Sequence, residues 1–168
     1  MSLEFSTACE LAEKIRNKEI SSRELTDLYI ERIERLDGEV NAVVVRDFDR
    51  ARAEADRADQ ALSEGRALGP LHGVPMTIKE AYNMADLPTT WGVPEFKDNI
   101  ATEDSESVAR FKAAGAVFLG KTNVPLNLAD FQSFNEIYGT TGNPWSTDRT
   151  PGGSSGRSLI HISEPTRR

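Results

Sequence analysis

The sequence predicts an α/β fold in which helices cover a sheet, in a chain with the size of one domain or a large part of one. Two observations support this prediction. The first third of the chain carries helix start signals, each followed by apolar residues at helical spacing. Further on, a helical segment, a glycine turn and a continuous apolar run follow one another, and such a run is typical of a strand buried on both faces.

Capping residues mark the start of the first two helices. Thr7 and Glu10 form a capping box before the first helix, and Ser21 and Glu24 form another before the second. Gly38 is the expected end of the second helix, because glycine is favoured just beyond a helix C terminus.

Strands and helices then alternate along the chain. The β-branched run 41–45 predicts a short strand, and the alanine-rich segment 49–64 predicts a helix. A second strand is expected over residues 74–79, a helix over 104–114, and a buried strand over 116–120. Strands separated by helices in this way favour a βαβ-like sheet.

Composition argues against several classes of function. The net charge is -7, and no cluster of Lys and Arg is interleaved with aromatic residues, so a nucleic-acid partner is not expected. No apolar run approaches the roughly 20 residues that cross a bilayer, and the first residues lack a secretion signal. We therefore expect a cytoplasmic protein with no membrane partner. Cys9, the single cysteine, is expected to pack as a small buried hydrophobe.

Lys79 is the first residue suited to chemistry. Strand alternation places Val74, Met76 and Ile78 on one face and Lys79 on the other, at the end of an apolar element. Burial lowers the pKa of a lysine, and a neutral amine can act as a base. The alternative is a lysine that extends its charge to solvent and pairs with Glu80 or another acid.

The second candidate is the segment Gly152, Gly153, Ser154, Ser155 and Gly156. Glycines beside a serine pair let the backbone approach a ligand closely, and the hydroxyl and N–H groups suit proton relay or anion binding. The alternative is a flexible Gly/Ser linker.

The nucleophile elbow of α/β-hydrolases is excluded, although Ser154 stands at the centre of a G-x-S-x-G match. That motif needs a strand before it, and residues 145–151 do not form one. It also needs an acid and then a histidine downstream, and no acid lies between Ser154 and His161. The other histidine, His72, is expected to be structural, with its ring bound by backbone groups, and no metal site is predicted.

Three blocks of the chain resemble the amidase signature family. Residues 69–80 resemble the strand that carries the catalytic lysine, and residues 114–123 resemble the helix-to-strand step that follows it. Residues 143–145 and 150–156 resemble the opening of the signature itself. The likeness runs from the first helices to Gly156, with the blocks in the family's order.

The resemblance implies the N-terminal part of an α/β/α sandwich with a mixed, here incomplete, central sheet. It implies a Ser-Ser-Lys triad that hydrolyses a small carboxylic amide without a cofactor. Lys79 would be the base, and Ser154, beside a cis peptide bond, would pass a proton between Lys79 and the nucleophilic serine. Gly152, Gly153, Ser155 and Gly156 would form the supporting loop.

After Gly156 the chain departs from the family pattern. The family continues into a second Gly-Gly-Ser segment that carries the nucleophile, whereas residues 157–168 resemble a translated sequencing adaptor. We therefore expect residues 1–156 to be amidase sequence and residues 157–168 to be a non-native tail. Ser158 and Ser163 lack a glycine-rich setting and are not expected to replace the nucleophile. The chain as printed is expected to be inactive.

Within the family, residues 81–84 and 87–92 resemble general bacterial amidases. The alternative is the A component of a glutamyl-tRNA(Gln) or aspartyl-tRNA(Asn) amidotransferase, which would co-purify with its partner proteins and act on charged tRNA. A non-catalytic interaction fragment, which would keep its binding after Lys79→Ala, is the third hypothesis. The identity of the amide and the presence of a homo-oligomer stay open.

Overall fold

The computed structural model describes residues 3–66 and 69–154. Its helices are α1 Ala8–Arg16, α2 Ser22–Val40, α3 Phe48–Ser63 and α4 Glu106–Ala113. Its strands are β1 Val43–Arg46, β2 Pro75–Lys79, β3 Val117–Thr122, β4 Phe134–Asn135 and β5 Gly139–Thr140. Short 3-10 turns occur at Leu3–Phe5, Pro94–Phe96 and Leu126–Leu128. No helix within these residues is both long enough and apolar enough to span a membrane.

Both predicted capping boxes are present. The Thr7 hydroxyl accepts the Glu10 backbone N–H at 3.2 Å, and the Glu10 carboxylate accepts the Thr7 N–H at 2.7 Å. Ser21 and Glu24 make the same reciprocal pair, at 3.0 and 2.9 Å. Each box satisfies two N–H groups that the first turn of a helix leaves without an intrahelical partner. The predicted starts of α1 and α2 are confirmed.

The predicted end of α2 at Gly38 is wrong. The helix continues to Val40, and Asn41 closes it in the left-handed conformation with φ 54°. The buried Asp37 carboxylate accepts the backbone N–H groups of Ala42 and Val43 at 2.8 and 3.1 Å, which fixes the chain reversal after Val40. The strand that follows therefore begins two residues later than expected.

The three long strands form a mixed sheet in the order β1-β3-β2. β1 runs antiparallel to β3, and β2 runs parallel to β3. β4 and β5 form a separate antiparallel hairpin. A parallel pair such as β2 and β3 requires a crossover connection, which α4 and the loops around it provide.

β3 separates two apolar layers. Val117 and Leu119 pack against α2 and α3, where Ala55 is one of the buried contacts. Phe118 points to the other face and packs against Val108 of α4 and Ile78 of β2. Every residue of β3 is buried, which confirms the buried strand predicted from its apolar run. Helices thus cover both faces of the sheet.

Two side-chain placements differ from the prediction. Val74 packs beside Ile15 of α1, whereas Ile78 packs in the cluster of α4, so they do not share a face. The reason is that regular pairing begins only at Pro75 and is interrupted after Met76. Cys9 is exposed, because the buried stripe of α1 falls on other positions.

Candidate active site

Lys79 is the last residue of β2 and pairs in register with Thr122 of β3. Its side chain is partly buried, and this burial lowers the pKa of its amine from the ordinary value. A lower pKa increases the neutral fraction of the amine at a given pH. The neutral form is the one that can accept a proton.

The alternative pairing of Lys79 with Glu80 does not occur. The Glu80 carboxylate is fully buried and accepts the backbone N–H groups of Thr90 and Trp91 at 2.6 and 3.1 Å. Within residues 3–66 and 69–154, no acid influences the Lys79 amine, and desolvation is the cause of its lowered pKa. In the described part of the chain, the base candidate thus has no neighbouring negative charge that would favour its protonated form.

The glycine-serine segment reaches Lys79 from a loop that packs on residues 130–131. The Thr150 hydroxyl accepts the Gly152 N–H at 3.1 Å and donates to the Phe131 carbonyl at 3.4 Å. A Cβ on Gly153 would lie 2.5 Å from the carbonyl carbon of Phe131, so this close approach requires glycine. The peptide bond between Gly153 and Ser154 is cis.

Lys79 and Ser154 meet although 75 positions separate them in the chain. The Lys79 Nζ lies 2.9 Å from the Ser154 Oγ, a normal hydrogen-bond distance. A charged amine donates to the hydroxyl, whereas a neutral amine can accept the hydroxyl proton. The pair can therefore move a proton from a third group, through Ser154, to Lys79.

Two of the four predicted supporting-loop residues lie within the described part of the chain, and two lie outside it. Gly152, with φ 91°, and Gly153 belong to the described segment. Ser155 and Gly156 lie outside the described residues, as does the expected non-native tail 157–168.

His72 has the structural role expected of it. Its buried ring places Nε2 3.0 Å from the Ala58 carbonyl oxygen of α3. Among the residues that the structure describes, no group of three or more His, Cys, Asp and Glu side chains is placed to hold a metal ion.

Sequence reasoning missed a buried charged pair beside the site, Glu80 and Lys121. Lys121 is fully buried in β3, and its Nζ donates to the Pro88 carbonyl and, at 2.8 Å, to the Thr89 hydroxyl. Burial lowers the pKa of Lys121 to about 8, against an opposing pull from the Glu80 carboxylate. The available signal was a lysine directly after an apolar run, one residue beyond the predicted strand 116–120, which in the structure continues to Thr122.

Comparison with known families identifies the class of protein that this fold and site define. A family model described as Amidase matches residues 24–158. The chain therefore belongs to the amidase family.

Individual relatives are amidases and components of amidotransferases. The chain is 45% identical over 161 residues to AmiB2 of Mycobacterium tuberculosis strain H37Rv, whose name assigns it to the amidases, covering 95% of this chain and 34% of AmiB2. It is 39% identical to an acylamidase of Rhodococcus erythropolis (91% of this chain, 32% of the acylamidase). It is 40% identical to the A component of the glutamyl-tRNA(Gln) amidotransferase of Moorella thermoacetica (96% of this chain, 33% of that component).

Solved structures of the amidase signature family share the fold. A bacterial aryl acylamidase superposes with a TM-score of 0.87 at 31% identity, over 93% of this chain and 33% of that enzyme. The chain thus spans about a third of the length of the relatives that it matches.

Proposed function

We propose that this chain is the N-terminal part of an amidase that hydrolyses a small carboxylic amide to an acid and ammonia or an amine. The observation that supports this most directly is the 2.9 Å contact between the Lys79 amine and the Ser154 hydroxyl. In this proposal, residues 1–156 belong to the amidase domain, and residues 157–168 are a non-native tail.

The proposed reaction uses Lys79 and Ser154 as two members of a Ser-Ser-Lys triad. Neutral Lys79 accepts the proton of Ser154, and Ser154 accepts the proton of the nucleophilic serine as that oxygen bonds to the amide carbonyl carbon. The relay then runs in reverse: Lys79 returns a proton to Ser154, and Ser154 donates one proton to the amide nitrogen as the C–N bond breaks and the amine leaves. Water then attacks the acyl ester and releases the acid. Lys79 and Ser154 move protons, and the third member of the triad, the nucleophilic serine, belongs to the second Gly-Gly-Ser segment of the family pattern.

A hybrid enzyme tests this function. We define it as residues 1–154 of this chain followed by the corresponding remainder of the Rhodococcus erythropolis acylamidase, to which the chain is 39% identical. We expect the hybrid to release amine or ammonia from small amides. The chain of 168 residues by itself should release none, because in this proposal residues 157–168 are a non-native tail and do not replace the family's nucleophile segment.

The parent acylamidase is the positive control. Turnover by the 168-residue chain at a rate that depends on Lys79 would contradict the expected inactivity. A folded hybrid that hydrolyses no amide accepted by the parent would contradict the proposed function.

The A component of an amidotransferase is the second candidate, because the Moorella relative is 40% identical. It predicts co-purification with partner proteins and activity only with charged tRNA. Hydrolysis of free small amides by the hybrid, with no partner added, favours the amidase. Reading the genomic DNA beyond codon 156 separately tests the boundary proposed for the tail.

A further inference from the structure

Glu80 and Lys121 are buried charges that the proton relay does not use. Both side chains are fully buried, and the Glu80 carboxylate attracts the Lys121 amine. Each also binds the segment 88–91: Lys121 binds the carbonyl of Pro88 and the hydroxyl of Thr89, and Glu80 binds the next two N–H groups. Because burying a charge is costly unless hydrogen bonds and an opposite charge compensate it, the hydrogen bonds that both groups direct to one segment indicate a specific structural role.

Lys121 binds hydrogen-bond acceptors of segment 88–91, and Glu80 binds hydrogen-bond donors of the same segment. The Lys121 amine donates, so it binds oxygen atoms at residues 88–89. The Glu80 carboxylate accepts, with Oε1 binding the Thr90 N–H and the Tyr138 hydroxyl, and Oε2 binding the Trp91 N–H. Hydrogen bonds to charged groups are stronger than neutral ones. We call this arrangement the 88–91 clamp.

The 88–91 clamp connects by contacts to the loop that carries Ser154. The Trp91 carbonyl accepts the Asn127 N–H at 2.8 Å. The segment 127–131 then supports Gly153, whose Cβ position would overlap the Asp130 carbonyl oxygen at 2.6 Å. Ser154 follows directly and meets Lys79.

Trp91 and Asn127, the two residues joined by the hydrogen bond between these segments, both have an unusual backbone conformation. Both have left-handed backbones, with φ 55° and φ 50°, although neither is glycine. A bulky residue is uncommon there, and surrounding contacts must hold it in place. For Trp91 those contacts are the Glu80 carboxylate on its N–H, the Asn127 N–H on its carbonyl, and the Ala81 carbonyl on its indole N–H at 3.1 Å.

We propose that Glu80 and Lys121 are positioning residues, which hold segments 88–91 and 127–131 so that the Ser154 hydroxyl stays within hydrogen-bond distance of Lys79. Neither touches the reacting atoms. This inference rests on the proposed function of Lys79 and Ser154. It states that Glu80 and Lys121 hold these two residues together indirectly, through the segments between them.

Glu80→Gln in the full 168-residue chain tests the clamp. A carboxylate offers two acceptor oxygens, whereas an amide offers one, so glutamine cannot accept from Thr90 and Trp91 on opposite sides of the side chain. We expect hydrogen exchange at the Thr90 and Trp91 amides to accelerate about 10- to 100-fold, the factor that loss of a hydrogen bond to a charged group implies. Glu106→Gln, at an exposed ion pair with Arg110, is the matched control and should leave both amides unchanged.

The decisive readout is Lys79 itself, followed through the 13C NMR signal of its ε-methylene during a pH titration. If the clamp positions the Ser154 loop, Glu80→Gln should uncover the Lys79 amine and raise its titration midpoint relative to the unsubstituted chain. A role confined to local loop stability would accelerate the two amides and leave the Lys79 midpoint unmoved, which would overturn the inference.

Tyr138→Phe keeps the test informative if Glu80→Gln does not fold. It removes only the hydroxyl that donates to Glu80 at 3.1 Å, and we expect smaller changes in the same direction. An unmoved Lys79 midpoint in this variant overturns the inference in that case. Failure of the proposed function has a different signature: an ordinary Lys79 midpoint already in the unsubstituted chain.

Discussion

Lys79→Ala should lower kcat of the hybrid enzyme by about 10³-fold or more, since removal of a positioned general base costs roughly 10² to 10⁴ in rate. The physical reason is that alanine leaves the Ser154 hydroxyl without an acceptor for its proton. The nucleophilic serine then attacks only in its weak, protonated form. The measurement is steady-state release of amine from an amide that the unsubstituted hybrid hydrolyses, with circular dichroism to verify folding.

Lys97→Ala is the matched control for this loss. Lys97 is an exposed lysine that follows a 3-10 turn, so its removal subtracts one positive charge without touching the site. Its kcat should stay within about twofold of the unsubstituted value, as expected for a surface substitution. A folded Lys79→Ala hybrid with kcat within tenfold of the parent hybrid, an energetic difference below about 1.4 kcal/mol, would remove Lys79 from the mechanism.

Gly120→Ala should prevent stable folding. Gly120 lies in the central strand β3, beside Arg46 of β1 and Thr77 of β2. A Cβ at this position would lie 2.1 Å from the Val45 carbonyl oxygen, and the backbone has φ 147°, which side chains rarely adopt. Relief requires β1 to move away from β3, so we expect a cost of about 3–5 kcal/mol.

Gly38→Ala tests the same chemical change where it should help. Gly38 is inside α2, and a Cβ there meets nothing within 4 Å. Alanine is favoured over glycine in a helix interior by about 0.5–1 kcal/mol, so this variant should unfold at a higher temperature. Thermal unfolding followed by circular dichroism measures both variants. Equal unfolding temperatures for Gly120→Ala and the unsubstituted chain would contradict the sheet described above.

Local signals predicted the helices and strands well, because they act within a few residues. The capping serine and threonine fix helix starts by bonds to the next turn, and the apolar run predicted β3 from burial alone. The end of α2 was predicted wrongly because a glycine can adopt the left-handed conformation that closes a helix but does not have to. In the structure Asn41 adopts that conformation, because the Asp37 carboxylate accepts the N–H groups of the two residues that follow Asn41.

The site was predictable only in part. Lys79 and Ser154 are 75 positions apart, and no spacing rule joins them. The family resemblance suggested the pair, whereas each residue alone was compatible with a surface lysine or a linker. Glu80 and Lys121 were missed for a different reason. A charged residue predicts exposure, and their burial depends on loop groups that come from distant parts of the chain.

The NMR titration of Lys79 in the 168-residue chain tests the central claim most directly, since that claim is a partly buried amine in contact with Ser154. Lys79→Arg identifies the signal by its loss. We expect a titration midpoint of the Lys79 amine below the ordinary value of 10.5, because burial lowers its pKa. We also expect Ser154→Ala to change the chemical shift of the Lys79 ε-methylene, because that variant removes the hydroxyl in contact with the amine. A midpoint at or above 10.5 with no response to Ser154→Ala would contradict the account.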